Sequence, residues 1–313
     1  MSPVTGLHHV TAIAGDPRRN AAFYARALGQ RLVKKTVNFD DPGTYHLYYG
    51  DEIGAAGTVM TFFPWANAPQ GAIGAGQVSI TQYAVPEGAL PFWRERLPAM
   101  GARLVKDEEV VFGERRAVFA DPDGLLLALV ETDDPRAPWL VEGVTADVAT
   151  RGFHGVTLAL AESESTAKIL EGPLGYEAAG VEAIGGGELR RYRRADGVAA
   201  IVDLHADPAM ARGREGVGTV HHVAFSVPDS AAQDVVRKAL LGLGLQVTPQ
   251  IDRQYFNAIY TRTPGGVLFE VATEDPGFAR DEEVAHLGEA LKLPDQYEAY
   301  RDRIEAALPA LAD

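Results

Sequence analysis

One pattern recurs four times along the chain, with starts near residues 7, 77, 153 and 220. Each repeat opens with an apolar run of strand character, which is followed by a helical pattern and by further strand-like runs. The third repeat shows only its first and last strands clearly. A unit of about 70 residues in this order cannot bury its apolar face alone, so neighbouring units must pack together. The repeat predicts an α+β fold of four βαβββ modules in two tandem halves, which form open, barrel-like sheets.

A polar, proline-containing segment at residues 133–151 separates the second repeat from the third. Such segments commonly mark domain boundaries. We predict an N-terminal domain at residues 1–145 and a C-terminal domain at residues 146–313, each with two modules. From Arg280 onward the C-terminal domain carries a helical tail. The mixed charge of residues 297–308 is typical of a solvated surface helix, to which we assign no chemistry.

The chain is acidic and contains no cysteine. Its 29 basic and 43 acidic residues give a net charge of −14, which argues against nucleic acid or an anionic membrane as a partner. The lack of cysteine excludes disulfides, thiolate ligands and a cysteine nucleophile, and it favours a reducing compartment. The sequence has neither a signal-peptide pattern nor a run of the roughly 20 apolar residues that span a bilayer. We therefore expect a cytoplasmic protein.

Two repeats carry a pair of histidines within their first, apolar strand. The first repeat contains His8 and His9, and the fourth contains His221 and His222. Side chains alternate between the two faces of a strand, so only one imidazole of each pair can point into a shared site. The other imidazole faces away or lies beside it. The apolar neighbours do not decide which histidine points inward.

A carboxylate completes the candidate site. Glu270 ends an apolar strand that follows the turn Thr263–Gly266, and alignment of the first and fourth repeats places Thr61 at the equivalent position. If these two modules pair, four equivalent positions converge, and they hold His9, Thr61, His222 and Glu270. Three of these side chains can ligate a metal strongly, and threonine leaves the fourth position open. Two histidines, one carboxylate and an open position suit non-haem Fe(II) and oxygen chemistry.

The second and third repeats offer a less complete set of ligands. Glu131, His154 and Asp203, with His205 nearby, could form a mirror-image site. The first strand of the second repeat contains no histidine, since its equivalent segment is Val78-Ser79-Ile80. This alternative site is therefore better interpreted as a remnant of module duplication than as an active centre.

Several motifs resemble those of a known family. They are Leu7–Thr11, Gly29–Thr36, Tyr45–Tyr48, Gly57–Thr61, Arg151–His154, His221–His222, Val227–Asp229, Tyr260–Gly266, Phe269–Glu270, Leu287–Gly288 and Leu291–Lys292. Together they resemble the ring-cleaving dioxygenases that act on hydroquinones. This subgroup belongs to the vicinal oxygen chelate superfamily, with glyoxalases, bleomycin-resistance proteins and extradiol dioxygenases. The resemblance covers nearly the whole chain and implies two tandem domains of that fold.

The resemblance also implies a role for individual residues. The family's Fe(II) ligands fall on His9, His222 and Glu270, and Mn(II) is the alternative metal. Five further positions match residues that contact the substrate or accompany the ligands, namely His8, Thr11, His221, Arg253 and Tyr260. The implied partners are a small aromatic substrate and O₂, and the chain could form a homo-oligomer.

The sequence thus favours an Fe(II)-dependent dioxygenase that opens the ring of a hydroquinone-like or catecholic aromatic. A glyoxalase-type metal-dependent isomerase or lyase is one alternative, although it typically uses more carboxylate ligands. The other is a non-catalytic small-molecule binding protein of the bleomycin-resistance kind. Such a protein has no need of three intact ligands, and fold alone does not choose among these functions.

Overall fold

Residues 2–195 and 197–311 are described by a computed structural model, in which they form two sheets of eight strands each. The first two modules have the following elements: β1 (Gly6–Ala14), α1 (Pro17–Ala21), a π-helical turn (Ala22–Ala27), β2 (Arg31–Asn38), β3 (Asp41–Gly50), β4 (Val59–Pro64), β5 (Gln77–Val85), α2 (Leu90–Ala99), β6 (Arg103–Val111), β7 (Glu114–Ala120) and β8 (Leu126–Glu131). Each module has the predicted order of one strand, one helix and three strands.

The other two modules repeat this order. Their elements are β9 (Phe153–Leu160), α3 (Glu164–Glu171), β10 (Glu177–Ile184), β11 (Gly187–Arg193), β12 (Ile201–Ala206), β13 (Thr219–Val227), α4 (Ser230–Gly242), β14 (Ile251–Asp252), β15 (Phe256–Arg262) and β16 (Leu268–Pro276). The tail contains 3₁₀ turns at Phe278–Arg280, Val284–His286 and Asp295–Tyr300, followed by α5 (Arg301–Ala307). The α+β fold of four βαβββ modules is confirmed.

Each sheet combines one module from the first half of the chain with one from the second half. The first sheet has the order β14-β15-β16-β13-β1-β4-β3-β2, so it joins the first and fourth modules. The second has the order β10-β11-β12-β9-β5-β8-β7-β6 and joins the second and third modules. The pairing of modules one and four, which was the condition for a shared site, is therefore present. The domain boundary at residue 145 stays a prediction, and both sheets take strands from either side of it.

The histidine pairs lie at two β-bulges where β1 and β13 meet. Along this antiparallel pair His9 faces Ala224 and Thr11 faces His222, and the register skips His8 on one strand and His221 on the other. An inserted residue breaks the alternation of side chains and re-aims its neighbours. The bulges explain why the sequence pattern alone does not decide which histidine points inward.

The last strands of the same modules flank the paired first strands. β4 runs parallel to β1 and places Thr61 beside Thr11, while β16 runs parallel to β13 and places Glu270 beside Ala224. The four positions that the repeat predicted to be equivalent thus lie on four adjacent strands at the centre of the first sheet.

Capping residues explain where two of the helices begin. The Asp16 carboxylate accepts hydrogen bonds from the backbone N–H groups of Arg18 and Arg19, with Pro17 in the first turn. Asp229 caps α4 in the same way. The helix of the first module changes from α-helical to π-helical geometry at Ala22. No helix in the described ranges is long and apolar enough to cross a membrane.

The tail packs against the first sheet more closely than a solvated helix would. Lys34 is fully buried on β2, and its ammonium group binds the carboxylates of Asp281, at 2.6 Å, and Glu282. The Tyr297 hydroxyl donates to the Phe39 carbonyl at 2.6 Å. Ile304 of α5 is buried in the main core. The tail is helical as expected, but one face of α5 is not solvated.

Candidate metal centre

Three potential ligand atoms converge at the centre of the first sheet. His9 Nε2 lies 3.3 Å from His222 Nε2 and 3.4 Å from Glu270 Oε2, and His222 Nε2 lies 2.9 Å from the same oxygen. A cation about 2.1 Å from each ligand separates neighbouring ligand atoms by roughly 3.0 Å at a right angle and about 3.4 Å at a tetrahedral angle. The observed spacings therefore match the corners of a metal coordination shell.

The buried carboxylate needs a cationic partner. Glu270 is only 1% exposed, and within the described part of the chain neither of its oxygens accepts a hydrogen bond of normal geometry. Burial raises the pKa of Glu270, but the neighbouring His9 and His222 imidazoles outweigh this effect and hold it well below its usual value. A buried, ionised carboxylate without hydrogen bonds is costly unless a cation binds it. The residues therefore fit a metal ion.

Each candidate ligand histidine is oriented by the histidine that precedes it. His8 Nδ1 lies 2.9 Å from His9 Nδ1, and His221 Nδ1 lies 2.8 Å from His222 Nδ1. Metal-ligating imidazoles usually donate their other N–H to an acceptor of this kind, which fixes the tautomer and directs the free Nε2 lone pair at the metal. Of the two alternatives that the sequence leaves open, these contacts correspond to the one in which the second imidazole of each pair lies beside the first.

The protonation states of His8 and His221 suit them to accept a hydrogen bond from the ligand histidines. Burial, and then the charge of His9, lowers the pKa of His8 to about 3. Burial, followed by His222, lowers the pKa of His221 to about 4. Both are therefore neutral near pH 7, and a neutral imidazole keeps one nitrogen that accepts a hydrogen bond.

A cavity of about 420 Å³ opens directly above the three ligand atoms. Its walls are mainly aromatic and apolar, and they consist of Phe39, Tyr48, Phe63, Trp65, Phe256, Tyr260 and Leu268. Besides the three potential ligands, polar groups are contributed by Asn38, Asp40, Asp41, His46, His221 and Arg253. An apolar cavity with a few convergent polar groups is the usual form of a site for a small organic ligand.

The five residues predicted to accompany the metal fall into two groups. His221, Arg253 and Tyr260 line the cavity. His8 and Thr11 lie behind it, where His8 contacts His9 and the Thr11 hydroxyl lies 3.1 Å from the Thr61 hydroxyl. Direct contact with a substrate is thus open to the first group, whereas the second can act only through its neighbours.

Arg253 and Tyr260 form a pair on one side of the cavity. Arg253 Nε donates to the Tyr260 hydroxyl at 3.3 Å, and the guanidinium also lies 5.5 Å from the centre of the tyrosine ring. Burial, reinforced by the Glu270 carboxylate, raises the pKa of Tyr260 far above its usual value. The hydroxyl therefore keeps its proton, and because it accepts from Arg253, its own O–H can donate either to the nearby Glu270 carboxylate or to a substrate in the cavity.

The second sheet has no equivalent metal centre within the described ranges. Its bulges fall at Ser79 and His154, so His154 corresponds to His221, and Ile80 and Gly155 occupy the positions of the two candidate ligand histidines. Asp203 corresponds to Glu270, but it forms two bonds with Arg191, at 2.8 and 2.9 Å. A salt bridge thus occupies the place of a metal.

The other residues of the predicted mirror-image site are also engaged elsewhere. His154 Nε2 lies 3.1 Å from Glu114. The Glu131 carboxylate accepts hydrogen bonds from the backbone N–H groups of Gly88 and Leu90. Of the described residues, only His9, His222 and Glu270 form a cluster that could hold a metal ion. The described residues therefore do not support the alternative site on the second sheet.

Sequence reasoning missed several polar residues of the cavity wall, and His46 and Tyr48 are two of them. His46 Nε2 lies 2.6 Å from the Thr61 hydroxyl, and His46 Nδ1 lies 2.8 Å from the Tyr48 hydroxyl. Both residues belong to the motif Tyr45–Tyr48, which was used above only for the family resemblance. Their spacing of two on a strand places them on one face of the sheet, and this was the signal available in the sequence.

Comparison with known proteins agrees with this geometry. Residues 6–129 match the Glyoxalase/Bleomycin resistance protein/Dioxygenase superfamily. The chain is also 49% identical over 304 residues to the proposed ring-cleaving dioxygenase MhqO of Bacillus subtilis (strain 168), covering 97% of this chain and 95% of that protein. The chain belongs to the glyoxalase/bleomycin resistance protein/dioxygenase superfamily.

Two further members of the superfamily are informative. The chlorohydroquinone/hydroquinone 1,2-dioxygenase of Sphingobium indicum (strain DSM 16413 / UT26S) is 37% identical over 310 residues, with 96% of this chain and 95% of that protein covered. The crystal structure of a proposed dioxygenase from Bacillus subtilis subsp. subtilis str. 168 superimposes with a TM-score of 0.93 at 47% identity, covering 99% of this chain and 98% of that chain. The family resemblance inferred from the sequence motifs is confirmed. A cytoplasmic location and a homo-oligomeric state stay predictions.

Proposed function

We propose that this protein is an Fe(II)-dependent dioxygenase that opens the ring of a hydroquinone-like or catecholic aromatic. The observation that carries the proposal is the set of two imidazoles and one carboxylate at the base of an aromatic cavity. Two histidines and one carboxylate with open positions are the ligand set of non-haem Fe(II) oxygenases. The hydroquinone dioxygenase among the relatives supports the choice of substrate.

His9 and His222 would hold the metal through Nε2, and Glu270 would hold it through its carboxylate. When bound, Fe(II) supplies the redox chemistry through which O₂ reacts with the aromatic ring. The equivalent fourth position holds Thr61, whose hydroxyl already bonds to Thr11 and His46. The fourth position is therefore left without a strong ligand, and the side that faces the cavity is free for substrate and O₂.

The aromatic walls select a flat, apolar ring. Phe63, Trp65, Phe256 and Leu268 contribute apolar surface to the cavity. Aromatic rings pack favourably against one another in stacked or edge-to-face arrangements. Such walls also exclude water, which strengthens the electrostatic interactions of the few polar groups in the site.

Arg253 and Tyr260 would stabilise negative charge on the substrate. The guanidinium is a fixed positive charge, and the Tyr260 hydroxyl, which keeps its proton, can donate a hydrogen bond to the substrate in place of Glu270. A substrate hydroxyl that loses its proton gains most from donors that are already in position. On the same cavity wall, neutral His221 accepts from His222 through Nδ1, so its Nε2–H is left to donate to the substrate.

Oxygen consumption by the Fe(II)-loaded protein tests the proposal. We expect uptake of O₂ with hydroquinone or a catechol, and a product that is heavier than the substrate by two oxygen atoms. His9→Ala and Glu270→Ala should abolish the uptake. His154→Ala is the matched control, because this histidine lies at the corresponding bulge of the second sheet, and it should leave the uptake unchanged.

Two outcomes would contradict the proposal. Stoichiometric metal binding with isomerase activity, and without O₂ uptake on any dihydroxylated aromatic, would indicate a glyoxalase-type enzyme. Tight binding of an aromatic without metal binding or turnover would indicate a binding protein of the bleomycin-resistance kind.

A further inference from the structure

The fourth equivalent position of the site is occupied by a hydrogen-bonded chain of side chains. The Thr11 hydroxyl lies 3.1 Å from that of Thr61, which lies 2.6 Å from His46 Nε2. His46 Nδ1 lies 2.8 Å from the Tyr48 hydroxyl. His46 and Tyr48 line the cavity, so the chain begins behind the candidate metal centre and ends in the substrate space.

The two halves of the first sheet differ at this chain. Tyr48 faces Thr61 across the β3–β4 pair, as Tyr260 faces Glu270 across the β15–β16 pair. Two residues earlier on the same strand face, the first module has His46 whereas the fourth has Ala258. At the same position of the last strand, the fourth module supplies the carboxylate of Glu270, whereas the first supplies Thr61, which is hydrogen-bonded to His46.

The hydrogen bonds of His46 leave the Tyr48 hydroxyl able to serve two kinds of partner. His46 is buried and neutral, so one of its ring nitrogens donates and the other accepts. If Tyr48 donates to Nδ1, its oxygen lone pairs remain free for a donor in the cavity. If Nδ1–H donates to Tyr48, the tyrosine O–H remains free for an acceptor. A phenolic hydroxyl can be either partner.

We propose that Tyr48, positioned by His46 and Thr61, binds a second hydroxyl of the aromatic substrate, the one that is not at the metal. This assignment rests on the proposed function and specifies its substrate class further. Tyr48 is the specificity-determining residue and His46 is its positioning residue. The pair selects a ring with two hydroxyls over a ring with one, because only the former satisfies both the metal centre and Tyr48.

Anaerobic calorimetry on the Fe(II)-loaded protein tests this inference without turnover. The probes are hydroquinone and phenol, which differ by one hydroxyl. Loss of one neutral hydrogen bond corresponds to a roughly three- to tenfold loss of affinity. We expect Tyr48→Phe to weaken hydroquinone binding by this factor and to leave phenol binding unchanged. The control is Tyr49→Phe on the same strand, whose hydroxyl donates to Asn20 at 3.1 Å, and both affinities should stay as in the wild type.

The role of His46 is tested by a double-mutant cycle. His46→Ala should cause the same selective loss as Tyr48→Phe, and the double variant should lose no more than either single variant, because the histidine acts through the tyrosine. Additive losses in the double variant would overturn the inference. So would a Tyr48→Phe variant in which the ratio of the hydroquinone and phenol affinities is the same as in the wild type. Failure of the proposed function shows separately, as a wild-type protein that consumes no O₂ with hydroquinone.

Discussion

Replacing Asp203 by alanine should destabilise the protein by about 3–5 kcal/mol and leave its metal content unchanged. Asp203 is the counterpart of Glu270 in the second sheet, and its side chain is fully buried. It accepts bonds from Arg191 Nε at 2.8 Å and Nη2 at 2.9 Å, and from Gln82 at 3.0 Å. The variant would keep the guanidinium buried with only Glu114 as its carboxylate partner.

The magnitude follows from this burial. Breaking a buried ion pair from one side typically costs about 3–5 kcal/mol, because the remaining charge is not compensated. Arg191 keeps its contact with Glu114, so we expect a value near the lower end. Replacing both partners by apolar residues, as in Arg191→Met with Asp203→Leu, should recover much of the loss because no charge remains buried.

The assay is urea unfolding of the variant and the wild type, combined with measurement of bound metal in the folded samples. Asp234→Ala is the control, since Asp234 pairs with Lys238 on an exposed helix face and should contribute at most about 1 kcal/mol. A folded Asp203→Ala protein that no longer binds metal would refute the reasoning, because it would place the metal on the second sheet. A loss below about 1 kcal/mol would refute the energetic account.

Two further changes test other parts of the structure. Lys34→Met leaves the Asp281 and Glu282 carboxylates without their buried ammonium partner; it should cost about 3 kcal/mol or more in urea unfolding and make the tail more sensitive to limited proteolysis. Burial, opposed by hydrogen bonds from groups that include the Tyr24 hydroxyl, raises the pKa of Asp121 from its usual 3.8 to about 6. A raised folded-state pKa gives stability that is present below pH 3.8 and is lost as the pH rises through about 6. The corresponding fall of about 3 kcal/mol in unfolding free energy should be absent from Asp121→Asn, as measured by urea unfolding across this pH range.

The sequence was sufficient to predict the architecture, because a repeat of this length also indicates how its copies must pack. Four modules that cannot bury their faces alone must pair, and the histidine pairs in the first strands of modules one and four indicate which ones do. Alignment of the same modules placed Thr61 at the position equivalent to Glu270. The parallel pairs β1–β4 and β13–β16 have the register that this equivalence requires.

Other features depend on contacts that periodicity does not encode. Which histidine of each pair points inward is decided by bulges at His8 and His221, and a bulge breaks the alternation on which strand prediction relies. Strands β10 and β11 were missed because both lack an apolar pattern, and β10 is mostly exposed. His46 was missed because its significance lies in its bonds to Thr61 and Tyr48, and the bond to Thr61 joins two different strands.

The central claim is that His9, His222 and Glu270 hold a catalytic Fe(II). The most direct measurement is the stoichiometry of Fe(II) bound after anaerobic reconstitution, compared among the wild type, His222→Ala and His154→Ala. We predict one Fe(II) per chain in the wild type and in His154→Ala, and none in His222→Ala. Retention of iron by His222→Ala, or its loss from folded His154→Ala, would contradict the claim.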